Sequence, residues 1–279
     1  MKSIFTYLFL FCSVVVFAQK DFQGKAVYQS KTSFDMSRFN DREMSEQRKK
    51  QMMDRMKNML EKTYILHFNK ISSLYKEEEK LETPGQGGFR FGGMSGGTQY
   101  KNISEKKMIE AKEFFGKKFL ITEEVEMPQW EMSGETKKIG NYTCYKATMI
   151  KKNDDFDWRS MRRRNDDKPK DSTKVIKVSD EIETPKETLV TAWYTPQIPV
   201  SNGPEKYWGL PGLILEINSD RTTILCTEVV LNPTEKVMIE APTKGDKVTR
   251  EEYNKIMKKK MEEMREMFRG RRDGGRGGR

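Results

Sequence analysis

The stretch from Lys62 to Glu78, KTYILHFNKISSLYKEE, decides the fold. In its first half Tyr64, Leu66 and Phe68 fall on one side and Thr63, Ile65 and His67 on the other, the period of two expected of a strand. The second half, 72–78, is short enough to turn back and pair with the first. Upstream, 24–34 (GKAVYQSKTSF) alternates in the same way, with Ala26, Tyr28 and Ser30 set against Lys25, Val27 and Gln29. Between these strands lies an insertion at about 36–61. Asn40 and Glu43 suit a capped helix start there, and Met44, Met52, Met56, Met59 and Leu60 form a stripe along the helix that follows.

Downstream, residues 83–98 (TPGQGGFRFGGMSGGT) hold seven glycines, which predicts a loop. Short strands are then expected near 100–103, 107–112, 118–124, 130–139 and 142–151. An insertion dense in both charges follows at 152–172. Further strands are expected near 173–178, 187–195, 212–218 and 222–232, with a short one near 236–240. The segment 246–268 is expected to be a helix. Thr249-Arg250-Glu251-Glu252 has the form of a capping box, Tyr253, Met257, Met261, Met264 and Phe268 make a stripe, and Gly270 is the expected stop. Residues 269–279 (RGRRDGGRGGR) read as a disordered Arg/Gly tail. Because strands mostly follow strands, the expected architecture is mainly β (α+β), with two added amphipathic helices. The sheet should be curved and antiparallel, or an open half-barrel, within a single domain over 19–245.

The chain opens Met1-Lys2-Ser3, continues with a mostly apolar run to Ala18 and then turns polar at Gln19-Lys20-Asp21. These are the parts of a cleavable secretory signal, 1–18, and the run is short for a membrane span. Phe11 before Cys12 argues against lipoprotein processing at that cysteine. No later stretch approaches spanning length, so the mature chain is expected to lack a transmembrane segment. The expected location is the periplasm, soluble or peripherally attached to the envelope. The formal charge of +10 would there meet anionic lipid or glycan, through the basic tail above all, rather than nucleic acid. Cys144 and Cys226 remain after cleavage. In an oxidising compartment they permit one disulfide closing a loop of about 80 residues, worth about 4.5 kcal/mol by chain entropy. The alternative is two buried free thiols.

The most distinctive stretch is 192–217, AWYTPQIPVSNGPEKYWGLPGLILEI. Pro196 and Pro199 stiffen it, Gly203-Pro204 turns it, and Trp193, Tyr194, Tyr207 and Trp208 give it an aromatic load suited to closing an apolar cavity. These four, with Pro211, are the expected ligand-binding residues. Gly209-Leu210-Pro211-Gly212-Leu213-Ile214 resembles the motif that names the GLPGLI proteins. Further likeness lies in Tyr100-Lys101-Asn102, in 115–121 (FGKKFLI) and in Trp130 with 139–147 (IGNYTCYKA). The resemblance extends over about 24–240 and implies an exported protein of a Bacteroidota-type Gram-negative envelope. A more distant similarity is to the curved sheets of periplasmic lipoprotein carriers.

Catalytic patterns are missing. His67 is the one histidine, and no GxSxG, HExxH, P-loop or GxGxxG occurs. Asp154, Asp155 and Asp157 lack the rest of a calcium loop. No cofactor is implied. The 18 methionines allow a soft Cu(I) site at Met257, Met261 and Met264, although Met as helix-forming packing material is the stronger reading. The expectation is therefore a non-enzymatic exported protein that binds a lipid, an acyl chain or a partner protein on its curved sheet. The alternatives are a periplasmic Cu(I)-handling protein and an interaction module of an envelope assembly.

Overall fold

The computed structural model describes residues 22–33, 45–78, 97–152 and 187–273. The signal at 1–18, the Asn40 helix start, nearly all of the glycine loop, the charged insertion, the strand near 173–178 and residues 274–279 lie outside the described residues. So do the side chains of Met52, Met56, Met59 and Phe268.

Among the described residues twelve strands form one open sheet that does not close into a barrel. In chain order they are β1 (Gln23–Thr32), β2 (Glu61–Asn69), β3 (Ser72–Glu77), β4 (Thr98–Asn102), β5 (Lys107–Phe114) and β6 (Lys117–Glu124). These are followed by β7 (Glu131–Ile139), β8 (Tyr142–Lys152), β9 (Glu187–Thr195), β10 (Leu213–Ser219), β11 (Thr222–Leu231) and β12 (Asp246–Val248). Helix α1 (Glu46–Leu60) runs directly into β2, and α2 (Arg250–Asp273) follows β12. Across the sheet the order is β12-β6-β5-β4-β3-β2-β1-β11-β10-β9-β8-β7. Every pairing is antiparallel except β12 on β6. β1 thus sits near the centre, joined to β11 on one side and to β2 on the other.

The alternation that defined β2 fixes its register. Leu66 and Phe68 are fully buried, opposite Ala26 and Gly24 of β1. At Gly24 a Cβ would stand 2.2 Å from the Phe68 ring, so that ring occupies the space a side chain would need. Tyr64 stacks on Tyr75 with centroids 4.8 Å apart, and Tyr28 meets Tyr75 edge-on at 6.3 Å. Burying these side chains contributes to the driving force for bringing the strands around β1 together. Register shifts interrupt β1 at Val27/Tyr28, β10 at Ile214/Glu216 and β7 at Met132/Thr136. Such bulges sharpen twist and let a long sheet curl.

Several boundaries differ from expectation. Residues 236–240 form no strand; the short strand is β12, at 246–248, within the segment expected to be helical. Its side chains carry little pattern, and it is held by pairing on the exposed edge of β6. Thr249 then caps α2 as the sequence indicates: its N–H donates to Glu252 Oε2 at 2.8 Å, and the Glu252 N–H donates to Thr249 Oγ1 at 3.2 Å. Gly270 does not end this helix, which continues to Asp273. A single glycine costs a helix only about 1 kcal/mol, less than is needed to stop it. At α1 the N-cap is Ser45, whose Oγ accepts from the Arg48 N–H. Cys144 and Cys226 are free and buried. They sit on β8 and β11, with β9 and β10 between them in the sheet. Burial pushes the thiols up to about 11 and about 12, leaving them protonated and unreactive.

Candidate functional site

The connection from Pro196 to Gly212 holds the site together. Its prolines remove backbone donors, so few of its residues can join a ladder. It turns back along the start of β10 instead: Leu213 N–H donates to Ile198 O at 3.0 Å and Ile214 N–H to Asn202 O at 3.0 Å. Ile198, Val200, Tyr207, Trp208 and Leu210 are all buried. The connection joins β9 to β10, yet it is gripped by β3 and β4. Ser73 Oγ donates to Asn202 Oδ1 at 3.0 Å, and Lys101 Nζ donates to the carbonyls of Gly203, Glu205 and Tyr207 at 3.1, 3.0 and 3.1 Å. In the sheet β4 lies five steps from β10, about 24 Å if the sheet were flat. The sheet therefore curves around the connection, and the connection fills the hollow as a plug.

Lys101 is only 2% exposed. Its ammonium has three N–H donors, and the plug offers three carbonyls. Burial pushes this lysine down to about 7, against the opposing pull of the Glu205 carboxylate. Glu205 itself adopts a left-handed backbone (φ 50°), which helps aim the turn's carbonyls inward. Beside this clamp lies a charged network. Arg250, the first residue of α2, bonds both Glu110 and Glu123, Lys112 pairs with Glu110 at 2.8 Å, and Lys206 of the plug pairs with Glu123 at 3.2 Å. Burial would raise the Glu110 carboxyl, but Lys112 and Arg250 together hold it down to about 2.

The plug also meets the edge of the sheet. Trp130 Nε1 donates to Trp208 O at 2.8 Å, and its ring lies 6.3 Å from that of Tyr207. Met127 covers Gly209, where a Cβ would come within 2.9 Å of its Cγ. On the adjoining strands the Tyr194 hydroxyl donates to Met132 Sδ at 3.8 Å, and Tyr145 packs on Tyr194 at 6.1 Å. Met127, Met132 and Tyr145 are exposed at 52%, 63% and 38%. Met132 on β7 and Tyr145 on β8 form a Met–aromatic patch over buried Tyr194 at the edge of the described sheet, and Met127 stands exposed over Gly209 of the plug.

The five residues expected to bind ligand do not line one cavity. Tyr207 and Trp208 are packed inside the plug, and Tyr194 lies beneath Tyr145 and Met132. Trp193 takes the opposite face, as its alternation with Tyr194 requires. There Lys137 Nζ stands 4.3 Å over its ring while pairing with Glu216 at 2.7 Å. Pro211 is exposed at the tip of the motif. Of the three methionines considered for copper, Met257 packs with Val248 and Ile256 on Phe114, Phe119 and Tyr253. Met261 and Met264, further along α2, are half-exposed. Among the described residues no group of three or more His, Cys, Asp or Glu could hold a metal ion, and no helix is long and apolar enough to cross a membrane. An open depression of about 370 Å³ is lined by Glu187, Thr188, Leu189, Thr191, Asn218 and Asp220, away from the plug and largely polar. Sequence reasoning missed Lys101, Trp130 and the exposed Met127 and Met132. For Lys101 the available signal was its place in Tyr100-Lys101-Asn102, where the charge falls at an inward position of β4.

A family described as "Protein of unknown function (Porph_ging)" matches residues 130–216. That span runs from Trp130 through the plug into β10, and so takes in most of the residues that build the patch and its base. No curated protein matches. Two solved structures of PNGF-II, in space groups C2 and P21, are similar at TM-scores of 0.43 and 0.42 and 13% and 14% identity. Each comparison covers 77% of this chain but only 28% and 29% of the PNGF-II chain, so this protein spans less than a third of their length.

Proposed function

We propose that this chain is a non-enzymatic, exported envelope protein that binds a partner protein through the Met–aromatic patch at the plug. The observation that carries the proposal is the contrast between hollow and surface. The inner face, where a lipid or acyl chain would lie, is occupied by Ile198, Val200, Tyr207 and Leu210, while Met127, Met132 and Tyr145 stand exposed beside it. Met and aromatic side chains adapt to protein surfaces at low ordering cost and are enriched at interface centres. Among the described residues β7 pairs only with β8, so an extended partner segment could add its backbone to the outer edge of β7 and place an apolar side chain on Met132 and Tyr145. The partner this fits is a protein with an extended, apolar segment. The absence of a recognisable catalytic pattern in the sequence agrees with a binding role.

The test is affinity purification of the tagged chain from envelope extracts, side by side with a Met132→Lys/Tyr145→Ala variant. The proposal expects the same partner in repeated wild-type preparations and at least a tenfold lower yield with the variant. A native mass spectrum of the wild type showing bound lipid, with equal recovery of proteins by both forms, would replace it with the lipid-carrier reading.

A further inference from the structure

Among the described residues, helix α2 is held to the sheet by its start. Tyr253 is buried against Phe114 and Phe119, at centroid distances of 6.4 and 5.4 Å, and the core cluster takes in Ile256 and Met257 but goes no further along the helix. Twenty-four residues of helix span about 36 Å. The apolar stripe does not stop where the packing stops: Met261 and Met264 continue it half-exposed, and Met267 is 65% exposed. Ten Lys and Arg stand against four Asp and Glu between Lys255 and Arg279.

We propose that the distal part of α2 lies on an anionic phospholipid surface, with Met261, Met264 and Met267 entering the headgroup–acyl boundary and the excess of basic residues in this part of the sequence drawing it to the lipid phosphates. An apolar stripe with basic flanks on a helix of low overall hydrophobicity is the pattern of an interfacial helix, one that lies on a membrane without crossing it. Each basic residue near an anionic leaflet adds attraction, and long Lys side chains reach outward while their stems cover the apolar stripe. The alternative occupant, the same helix of a second copy, would bring two basic segments together. The anchor stands at the opposite end of the sheet order from the partner-binding edge β7, so the two contacts need not compete.

The experiment is co-sedimentation of the purified chain with vesicles of equal parts phosphatidylglycerol and phosphatidylcholine, and with vesicles of phosphatidylcholine alone. The expected result is binding to the anionic vesicles only. It should weaken as salt is raised and fall at least fivefold in a Met264→Glu/Met267→Glu variant whose circular dichroism is unchanged. Met267→Glu alone, at a position outside the core, should give part of that loss. The proposal is overturned if the wild type stays in solution at low salt, if both vesicle types bind it equally, or if the variants bind like wild type. A change of oligomeric state in the variants without a change in vesicle binding would also overturn it, and would point to a second copy.

Discussion

The Lys101 ammonium on β4 lies 3.1 Å from the carbonyl oxygen of Gly203, in the connection between β9 and β10. With the carbonyls of Glu205 and Tyr207 at similar distances, this contact fastens the plug to the far wing of the sheet. Replacing Lys101 by Met keeps most of the apolar stem, one atom shorter, and takes the ammonium's donors away from the three carbonyls. Each such group costs roughly 1–3 kcal/mol. Urea unfolding should therefore show Lys101→Met destabilised by about 3 kcal/mol or more. A loss below about 1 kcal/mol would mean that the clamp does not hold the plug.

Glycines along the chain differ in the room they have for a side chain. At Gly212 a Cβ would sit 2.1 Å from the carbonyl oxygen of Thr195, a backbone atom that cannot step aside. Gly212→Ala is expected to cost more than about 4 kcal/mol, or to prevent folding outright. Gly134 in β7 has nothing within 4 Å of the same built atom. Gly134→Ala should stay within about 0.5 kcal/mol of wild type in thermal unfolding.

Acid stability should depend on Glu110. Its carboxyl is held down to about 2 by Lys112 and Arg250, in opposition to burial. The unfolded chain binds the proton near its ordinary value, about 4.3. The contribution of the ion pairs is therefore complete above that value and is lost as the pH falls toward 2. Glu110→Gln should lower stability at neutral pH and flatten the fall in stability between about pH 4.5 and pH 2. Parallel pH-stability curves for the two proteins would contradict this assignment.

The sheet was legible because alternation is a local signal. Tyr64, Leu66 and Phe68 announce β2 on their own, and the expected strand at 187–195 coincides with β9. The capping box at Thr249 was legible for the same reason. The plug was recognised as stiff and aromatic, but whether Tyr207 and Trp208 line a hollow or fill one depends on how far the sheet curls. That is set by pairings such as β1 with β11, some 200 residues apart. Lys101 was hidden because a lysine at an inward position looks unfavourable until its three carbonyl acceptors, more than 100 residues away, are in place. β12 was hidden because three residues, two of them charged, carry no alternation to read.

The patch itself should separate binding from stability. Met132 and Tyr145 are exposed, so Met132→Lys and Tyr145→Ala should each unfold within about 1 kcal/mol of wild type while weakening partner binding at least tenfold.

The most direct test of the partner-binding account is to place a photo-crosslinking amino acid at position 132 and, separately, at 138, where exposed Lys138 lies on the same edge strand outside the patch. Illumination of intact cells should then give one recurring protein adduct from position 132 and far less of it from 138. Equal labelling at both positions, or adducts at 132 consisting only of lipid, would contradict the account.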